Sequence, residues 1–418
     1  MRYKITGPEK IRNTITLPAS KSISNRALVI CALAGSEILP ENLSDCDDTN
    51  VMLAALKEMP EEIDIKAAGT AMRFLTAYLA VTPGEHVITG TDRMKHRPIG
   101  VLVDALRYLG ARIEYMGEEG FPPLRIVGGR HEGGHLEIAS NVSSQYISAL
   151  LMIGPVLKKG LQLRLQGDII SRPYIDLTLW IMRSFGAEAE WSDVDLITVK
   201  PRPYLCKPYR VESDWSAASY WYEMLALNGD KESELLIEGL SDNSRQGDSI
   251  ARYLFSMLGI KTFFEDSGVE GRQNVRLKKN PRVLPRLDYD FINSPDLAQT
   301  FVATCAAMNI PFRFTGLGTL KMKETDRIEA LKAEMRKLGY VIKSEDDTML
   351  YWDGQRCEAD MSAGIDTYED HRMAMAFAPL AQKFDGLTIN NPQVVTKSYP
   401  AFWDDIRSAG FTIEEEGE

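Results

Sequence analysis

Lysines and arginines recur in this chain where helices should begin. A helix N-terminus carries partial positive charge, so a cation there costs about 0.3–1 kcal/mol unless an anion answers it. Lys21 and Arg26 flank the start of SISNRALVI, Arg97 lies in MKHRPIG, and Arg172 lies in SRPYID. Lys323 and Arg327 bracket KETDRIEAL, His371 and Arg372 open HRMAMAF, and Lys397 precedes SYPAFW. Ser22, Gly69 with Thr70, and Ser143 with Ser144 add small residues at helix starts, where backbone N–H groups are unclaimed. Any one of these cations reads more simply as a solvated surface charge, the two serines as helix caps, and Gly69 as a tight turn. The repetition of the pattern points instead to a site for a polyanion carrying phosphate and carboxylate groups.

Two acids stand among these cations. Asp296, in NSPDLAQT, follows Ser294 as N-cap and Pro295 at the first helical position, and Glu324 is wedged between Lys323 and Asp326. Dipole complementarity and salt bridging would explain them. Beside a site for several anions, the same carboxylates could act as general base and general acid. Asp326 and Glu329 have capping-box spacing, which puts Arg327 in the first turn of a helix. Other strings are decoys. His131-Glu132-Gly133-Gly134-His135 matches a zinc-protease pattern, but Gly-Gly between two strand-like segments forbids the helix that this chemistry needs. Asp45–Asp48 reads as helix capping rather than a cation site. No metal is expected.

The elements that must position these residues follow a repeat. Amphipathic runs stop at Gly110, Gly186, Gly259, Gly339 and Gly410, and each is followed by a short alternating strand; a shortened copy stops at Pro60. Each unit also has an earlier helix, such as GTAMRFLTAYLAV or WSAASYWYEMLALNG. Full units end in a strand–turn–strand, such as PPLRIVGGRHEGGHLEIA, and the N-terminus RYKITGPEKIRNTITLP supplies the hairpin that the last unit lacks. Six α/β units whose two ends meet suggest two lobes of three units. One lobe covers 20–212; the other covers 1–19 and 213–418. The chain crosses between them near Ser20 and Ser213, making a hinge and a cleft suited to a ligand.

Composition bounds the partners. The 418 residues hold 48 Lys plus Arg against 59 Asp plus Glu, a net charge of −11, which disfavours nucleic acid and anionic membranes. No apolar run reaches transmembrane length, the start MRYKITGPEK has no signal-peptide pattern, and the 5 cysteines form no CxxC. A soluble cytoplasmic protein is expected.

The strings LPASKSISNRAL, AGTAMRFL, RMKHRPIG, VSSQYISALLM, SRPYIDLT, SPDLAQT, KMKETDRI, YEDHRMAM and TKSYPAFW follow one another along nearly the whole chain. Together they resemble the 5-enolpyruvylshikimate-3-phosphate synthases. The resemblance implies a two-lobed inside-out α/β barrel of six βαβαββ-type repeats, three per lobe, with the active site in the interlobe cleft. It implies transfer of the enolpyruvyl group of phosphoenolpyruvate to the 5-hydroxyl of shikimate 3-phosphate through a tetrahedral intermediate, by a cytoplasmic monomer without metal or organic cofactor. Matched position by position, Lys21, Ser22 and Arg26 form the first substrate motif. Ser143, Ser144, Gln145, Ser171 and Lys323 face shikimate 3-phosphate. Gly69, Arg97, Arg327, Arg372 and Lys397 form the phosphoenolpyruvate set, with Lys21 and Gln145 shared. Asp296 matches the base, Glu324 the acid, and Lys21 a group assisting the leaving phosphate. Ala67 and Thr319 stand where the family often has asparagine. UDP-N-acetylglucosamine enolpyruvyl transferases are the nearest rival, but they usually carry a cysteine that the segment Gly90–Arg97 lacks. A non-catalytic anion-binding repeat protein would have no need of both Asp296 and Glu324.

Overall fold

The helices explain the architecture. In Lys21–Leu33 every residue from Ile23 to Cys31 is buried, as is every residue from Ala71 to Ala80 in Gly69–Val81 and from Tyr146 to Ile153 in Ser144–Ile153. Trp215–Leu227, Ala298–Ala307 and His371–Phe377 are equally enclosed. A helix buried on all sides belongs at the centre. The strands instead alternate buried and exposed positions, as in Gly134–Ala139, and so turn one face to solvent. The layers are therefore inverted, with helices inside and sheets outside.

The computed structural model describes residues 1–141, 143–268 and 273–417. The chain forms two compact units, Ala19–Val211 and Met1–Pro18 with Glu212–Glu418, each with its own apolar core. The first unit is built on Lys21–Leu33, Gly69–Val81 and Ser144–Ile153, which pack on one another. In the second, Ala298–Ala307 packs against both Trp215–Leu227 and His371–Phe377. Among the described residues no helix is long and apolar enough to cross a membrane.

Four sheets share one strand order. In Ala19–Val211, Glu62–Asp64 pairs parallel with Gly84–Thr89, followed by antiparallel Leu124–Gly128 and Arg112–Tyr115. Gly134–Ala139, Leu161–Gln166, Leu196–Val199 and Ala189–Trp191 repeat that order. In the other unit it recurs in Arg12–Thr16, Glu234–Glu238, Gln273–Lys279 and Ile260–Asp266, and in Leu287–Asp290, Phe312–Thr315, Met349–Trp352 and Lys343–Glu345. A fifth sheet places Arg2–Thr6 between Leu387–Asn390 and Thr412–Glu416, with Ile365 bridging parallel to Ile389. Among the described residues no sheet closes into a barrel. The first repeat is reduced to its helices, Lys21–Leu33 and Asp47–Glu58, and one bridge between Glu41 and Arg210.

The stop glycines have the left-handed backbone that ends a helix, with φ of 105° at Gly110, 82° at Gly186, 87° at Gly259, 85° at Gly339 and 100° at Gly410. The expected hairpins do not form. Leu124–Gly128 finishes one sheet and Gly134–Ala139 opens the next, while Arg2–Thr6 and Arg12–Thr16 lie in different sheets. Leu124–Gly128 pairs back with Gly84–Thr89 and Gly134–Ala139 pairs onward with Leu161–Gln166, so the glycine-rich stretch between them connects two repeats.

Candidate active site

The unit Ala19–Val211 holds a set of cations and hydroxyls on helix starts. Lys21 and Ser22 lie in the first turn of Lys21–Leu33, which contains no acid; Ser20 precedes it with no side-chain capping bond. Lys21 Nζ pairs with Asp48 Oδ2 at 3.1 Å, from the first turn of Asp47–Glu58, so this acid serves Lys21. Arg26, one helical turn beyond Ser22, is 2% exposed. Its Nε donates to Thr178 Oγ1 at 2.7 Å, its Nη2 to Ser148 Oγ at 3.1 Å and its Nη1 to the Ser22 carbonyl at 2.9 Å. The Phe74 ring lies 5.2 Å from its Cζ. Burial pulls its pKa down to about 10, with the Tyr174 phenol acting weakly the other way.

Gly69 begins Gly69–Val81, and its carbonyl accepts from Arg73 Nη1 at 3.0 Å. A Cβ on Gly69 would lie 2.6 Å from Arg97 Nη1, so the missing side chain makes room for this guanidinium. Ser143 caps Ser144–Ile153 by accepting from the Gln145 N–H, and Gln145 Nε2 donates to Thr70 Oγ1 at 3.2 Å. Ser171 is buried at φ 55° as N-cap of Arg172–Ser184. Arg172 stacks on Trp191 at 4.0 Å and lies 4.0 Å from Asp176. The two histidines of the zinc-like string are separately engaged, His131 with the Ala80 carbonyl and His135 with Glu137. Among the described residues no group of three or more His, Cys, Asp or Glu is arranged to hold a metal ion.

The other unit gathers its charges around Arg327. As predicted from the capping spacing, Asp326 accepts from the Ile328 and Glu329 N–H groups and Arg327 opens the helix Arg327–Lys337; Glu329 itself pairs with Lys332. Arg327 Nε and Nη2 reach Asp370 at 2.7 and 3.3 Å, Nη2 reaches Glu324 at 2.9 Å, and Nη1 reaches Asp296 at 3.0 Å. Asp296 also meets Arg372 Nη2 at 3.0 Å and Lys323 at 3.5 Å, and Glu324 meets Lys397 at 3.1 Å. Burial alone would lower the Arg327 pKa, but Asp370, Glu324 and Asp296 outweigh it and raise it above the ordinary value. Burial likewise works against the Asp296 charge, yet Arg372, Lys323 and Arg327 hold this carboxyl well below the usual range despite neighbouring Glu324.

Several members of these clusters escape a sequence reading. Asp370 caps His371–Phe377 by accepting from the Arg372 N–H. Buried Tyr220 accepts from Arg372 Nη1 at 3.3 Å. Asp248, 3% exposed, receives a hydrogen bond from Ser216. Burial and the Asp296 charge push its carboxyl up to about 7, against the pull of Arg372. Asp370 had a visible signal, lying directly before His371-Arg372; Ser148 and Thr178 had only helical spacing. Ser294 precedes Pro295 as expected, but the turn is a short 3-10 segment and its side chain makes no capping bond. Thr319 Oγ1 is buried without a hydrogen-bond partner among the described residues.

Comparison with known proteins bears on this arrangement. The family description "EPSP synthase (3-phosphoshikimate 1-carboxyvinyltransferase)" matches residues 5–66 and 59–406. A 3-phosphoshikimate 1-carboxyvinyltransferase of Bacteroides fragilis is 60% identical over 414 residues, 99% of each chain. One from Shewanella halifaxensis is 35% identical, covering 95% of this chain and 96% of its own. A solved EPSP synthase from Acinetobacter baumannii has the same fold, with a TM-score of 0.78 at 21% identity over 99% of this chain and 100% of its own. Both the inverted α/β layers and this full-length similarity lead to one conclusion: the chain belongs to the EPSP synthase (3-phosphoshikimate 1-carboxyvinyltransferase) family.

Proposed function

We propose that this chain transfers the enolpyruvyl group of phosphoenolpyruvate to the 5-hydroxyl of shikimate 3-phosphate and releases phosphate, in aromatic amino-acid biosynthesis. The observation that carries the proposal is the 60% identity to a 3-phosphoshikimate 1-carboxyvinyltransferase over 99% of the chain. The clusters supply suitable chemistry. Ser22, Arg26, Ser143, Ser144, Gln145, Ser171 and Lys323 bind shikimate 3-phosphate. Gly69, Arg97, Arg327, Arg372 and Lys397, with Lys21 and Gln145, bind phosphoenolpyruvate.

In the addition step the 5-hydroxyl oxygen bonds to C2 of phosphoenolpyruvate while its methylene carbon takes a proton, giving a tetrahedral ketal phosphate. In the elimination step the new methyl group loses a proton, the double bond reforms and the C2–O bond to phosphate breaks. Asp296 is the base for the hydroxyl proton and Glu324 the acid for the methylene carbon. Lys21 assists the departing phosphate. Three cations keep Asp296 ionised, and so able to accept a proton, but they also weaken it as a base. Substrate anions that engage Lys323 and Arg372 relax that hold and raise its basicity. Cytoplasmic location and a monomeric state belong to the same proposal; light scattering in solution checks the second.

Phosphate release from phosphoenolpyruvate tests this reading, with shikimate 3-phosphate or UDP-N-acetylglucosamine as acceptor and a chelator present. Release only with shikimate 3-phosphate is expected. Release only with the nucleotide sugar would overturn the acceptor, and release with neither would overturn the enzyme.

A further inference from the structure

We infer that Thr178 and Ser148 are positioning residues that aim Arg26 at an anionic group of shikimate 3-phosphate without cancelling its charge. This rests on the proposed role of Arg26 as a ligand of that substrate.

A guanidinium has five N–H donors and no acceptor. Arg26 spends Nε–H on Thr178, one Nη2 proton on Ser148 and one Nη1 proton on the Ser22 carbonyl. One N–H remains on each terminal nitrogen, which is what a carboxylate or phosphate needs to bind through two oxygens. The two hydroxyls form a unit, since Thr178 Oγ1 lies 2.9 Å from Ser148 Oγ and 2.8 Å from the Tyr174 carbonyl. Thr178 can therefore accept from Arg26 while passing its own proton onward. No side-chain carboxylate among the described residues pairs with Arg26. Its partners are neutral oxygens, which satisfy donors and fix orientation but leave the full positive charge in a buried setting, where charge–charge attraction is strong.

The fold makes this support rigid. Arg26, Ser148 and Thr178 come from three helices, Lys21–Leu33, Ser144–Ile153 and Arg172–Ser184, which pack against one another. All three residues are buried, Ser148 and Thr178 at 0% exposure. With no exposed surface to offer a substrate, each acts through Arg26.

The test compares steady-state kinetics and melting of Thr178→Val, Ser148→Ala, Thr178→Ser and Arg26→Gln with the wild type. Thr178→Val keeps the side-chain shape but strands Nε–H, so KM for shikimate 3-phosphate should rise about tenfold or more. Turnover and KM for phosphoenolpyruvate should stay within about twofold. Ser148→Ala should act in the same direction with a smaller rise, and Thr178→Ser should recover most of the loss. Lower melting temperature with an unchanged KM for shikimate 3-phosphate in both Thr178→Val and Ser148→Ala would reduce these hydroxyls to structural filler and overturn the proposal. Equal damage to both KM values would do the same. If Thr178→Val does not fold, Ser148→Ala alone decides. An Arg26→Gln variant with unchanged KM for shikimate 3-phosphate would overturn the ligand role of Arg26 and the inference with it. A large Arg26→Gln effect with silent hydroxyl variants would overturn the inference alone.

Discussion

Each unit of this protein has a deeply buried arginine, Arg26 in one and Arg327 in the other, and the two are treated in opposite ways. Arg26 is held by two hydroxyls and a carbonyl, and burial lowers its pKa to about 10. Arg327 is held by the carboxylates of Asp370, Asp296 and Glu324, and its pKa rises. A buried cation left without a counter-charge is unfavourable in the absence of ligand, and this is what makes it a receptor for an anion. A buried cation surrounded by acids keeps less attraction for a further anion, so Arg327 organises those acids as well as taking its proposed part in binding phosphoenolpyruvate. The difference is one of partners: in the proposed reading Arg26 only receives an anion, whereas Arg327 also arranges acids.

The most damaging way to break the Arg327 side is to remove the acids it arranges. Asp296→Ala and Glu324→Ala should each cut turnover about 10²–10⁴-fold while leaving substrate binding largely intact. Pre-steady-state rates with both substrates saturating check this, and unchanged turnover in either variant would remove that residue's proton-transfer role. Next in size is the scaffold itself. Asp370→Ala takes the partner of Arg327 Nε and leaves Nη2 only Glu324, in a site where the Arg327 and Asp370 side chains are 2% and 0% exposed, so stability should fall by about 3–5 kcal/mol in urea unfolding. Arg26→Gln, which removes a cation with no carboxylate partner among the described residues, should cost far less stability. A comparable loss in both would erase the contrast.

A smaller change separates the two substrates. Gly69→Ala puts a methyl carbon 2.6 Å from Arg97 Nη1. The guanidinium must move, and KM for phosphoenolpyruvate should rise about tenfold with less effect on shikimate 3-phosphate. Equal shifts in both KM values would contradict the Arg97 assignment. The smallest effect concerns Asp248, whose carboxyl sits at about 7 in the fold against an ordinary 3.8. Between those values the folded protein holds a proton that the unfolded chain has lost, so this group makes stability fall as pH rises from about 4 to about 7. Asp248→Asn removes that loss. Its melting temperature relative to wild type should therefore be higher at pH 8 than at pH 5, and a pH-independent difference would rule the effect out.

What the sequence disclosed follows from where its physics is local. A glycine that must adopt positive φ, or a cation at the wrong end of a helix dipole, is visible within a few residues, so the stops at Gly110 and Gly339 and the residues Lys21, Arg327 and Arg372 could be found. Asp296 and Glu324 were visible as acids but not as partners of one arginine. Thr178 and Ser148 were hidden, because a serine or threonine in an apolar helix looks like filler and the contact to Arg26 spans 152 residues in one case and 122 in the other. The hairpin expectation failed for the same reason. Two alternating stretches separated by glycines look like a local pair, but the partners of Leu124–Gly128 are Gly84–Thr89 and Arg112–Tyr115. Family motifs supplied the roles that local patterns could not.

The contrast between a receiving and an arranging arginine is tested most directly by calorimetric titration of shikimate 3-phosphate into the wild type and Arg26→Gln. Affinity at least about tenfold weaker in the variant, with its melting temperature nearly unchanged, is the predicted result. Equal affinity in the two proteins would contradict the account, because Arg26 would then be a buried cation that no anion answers.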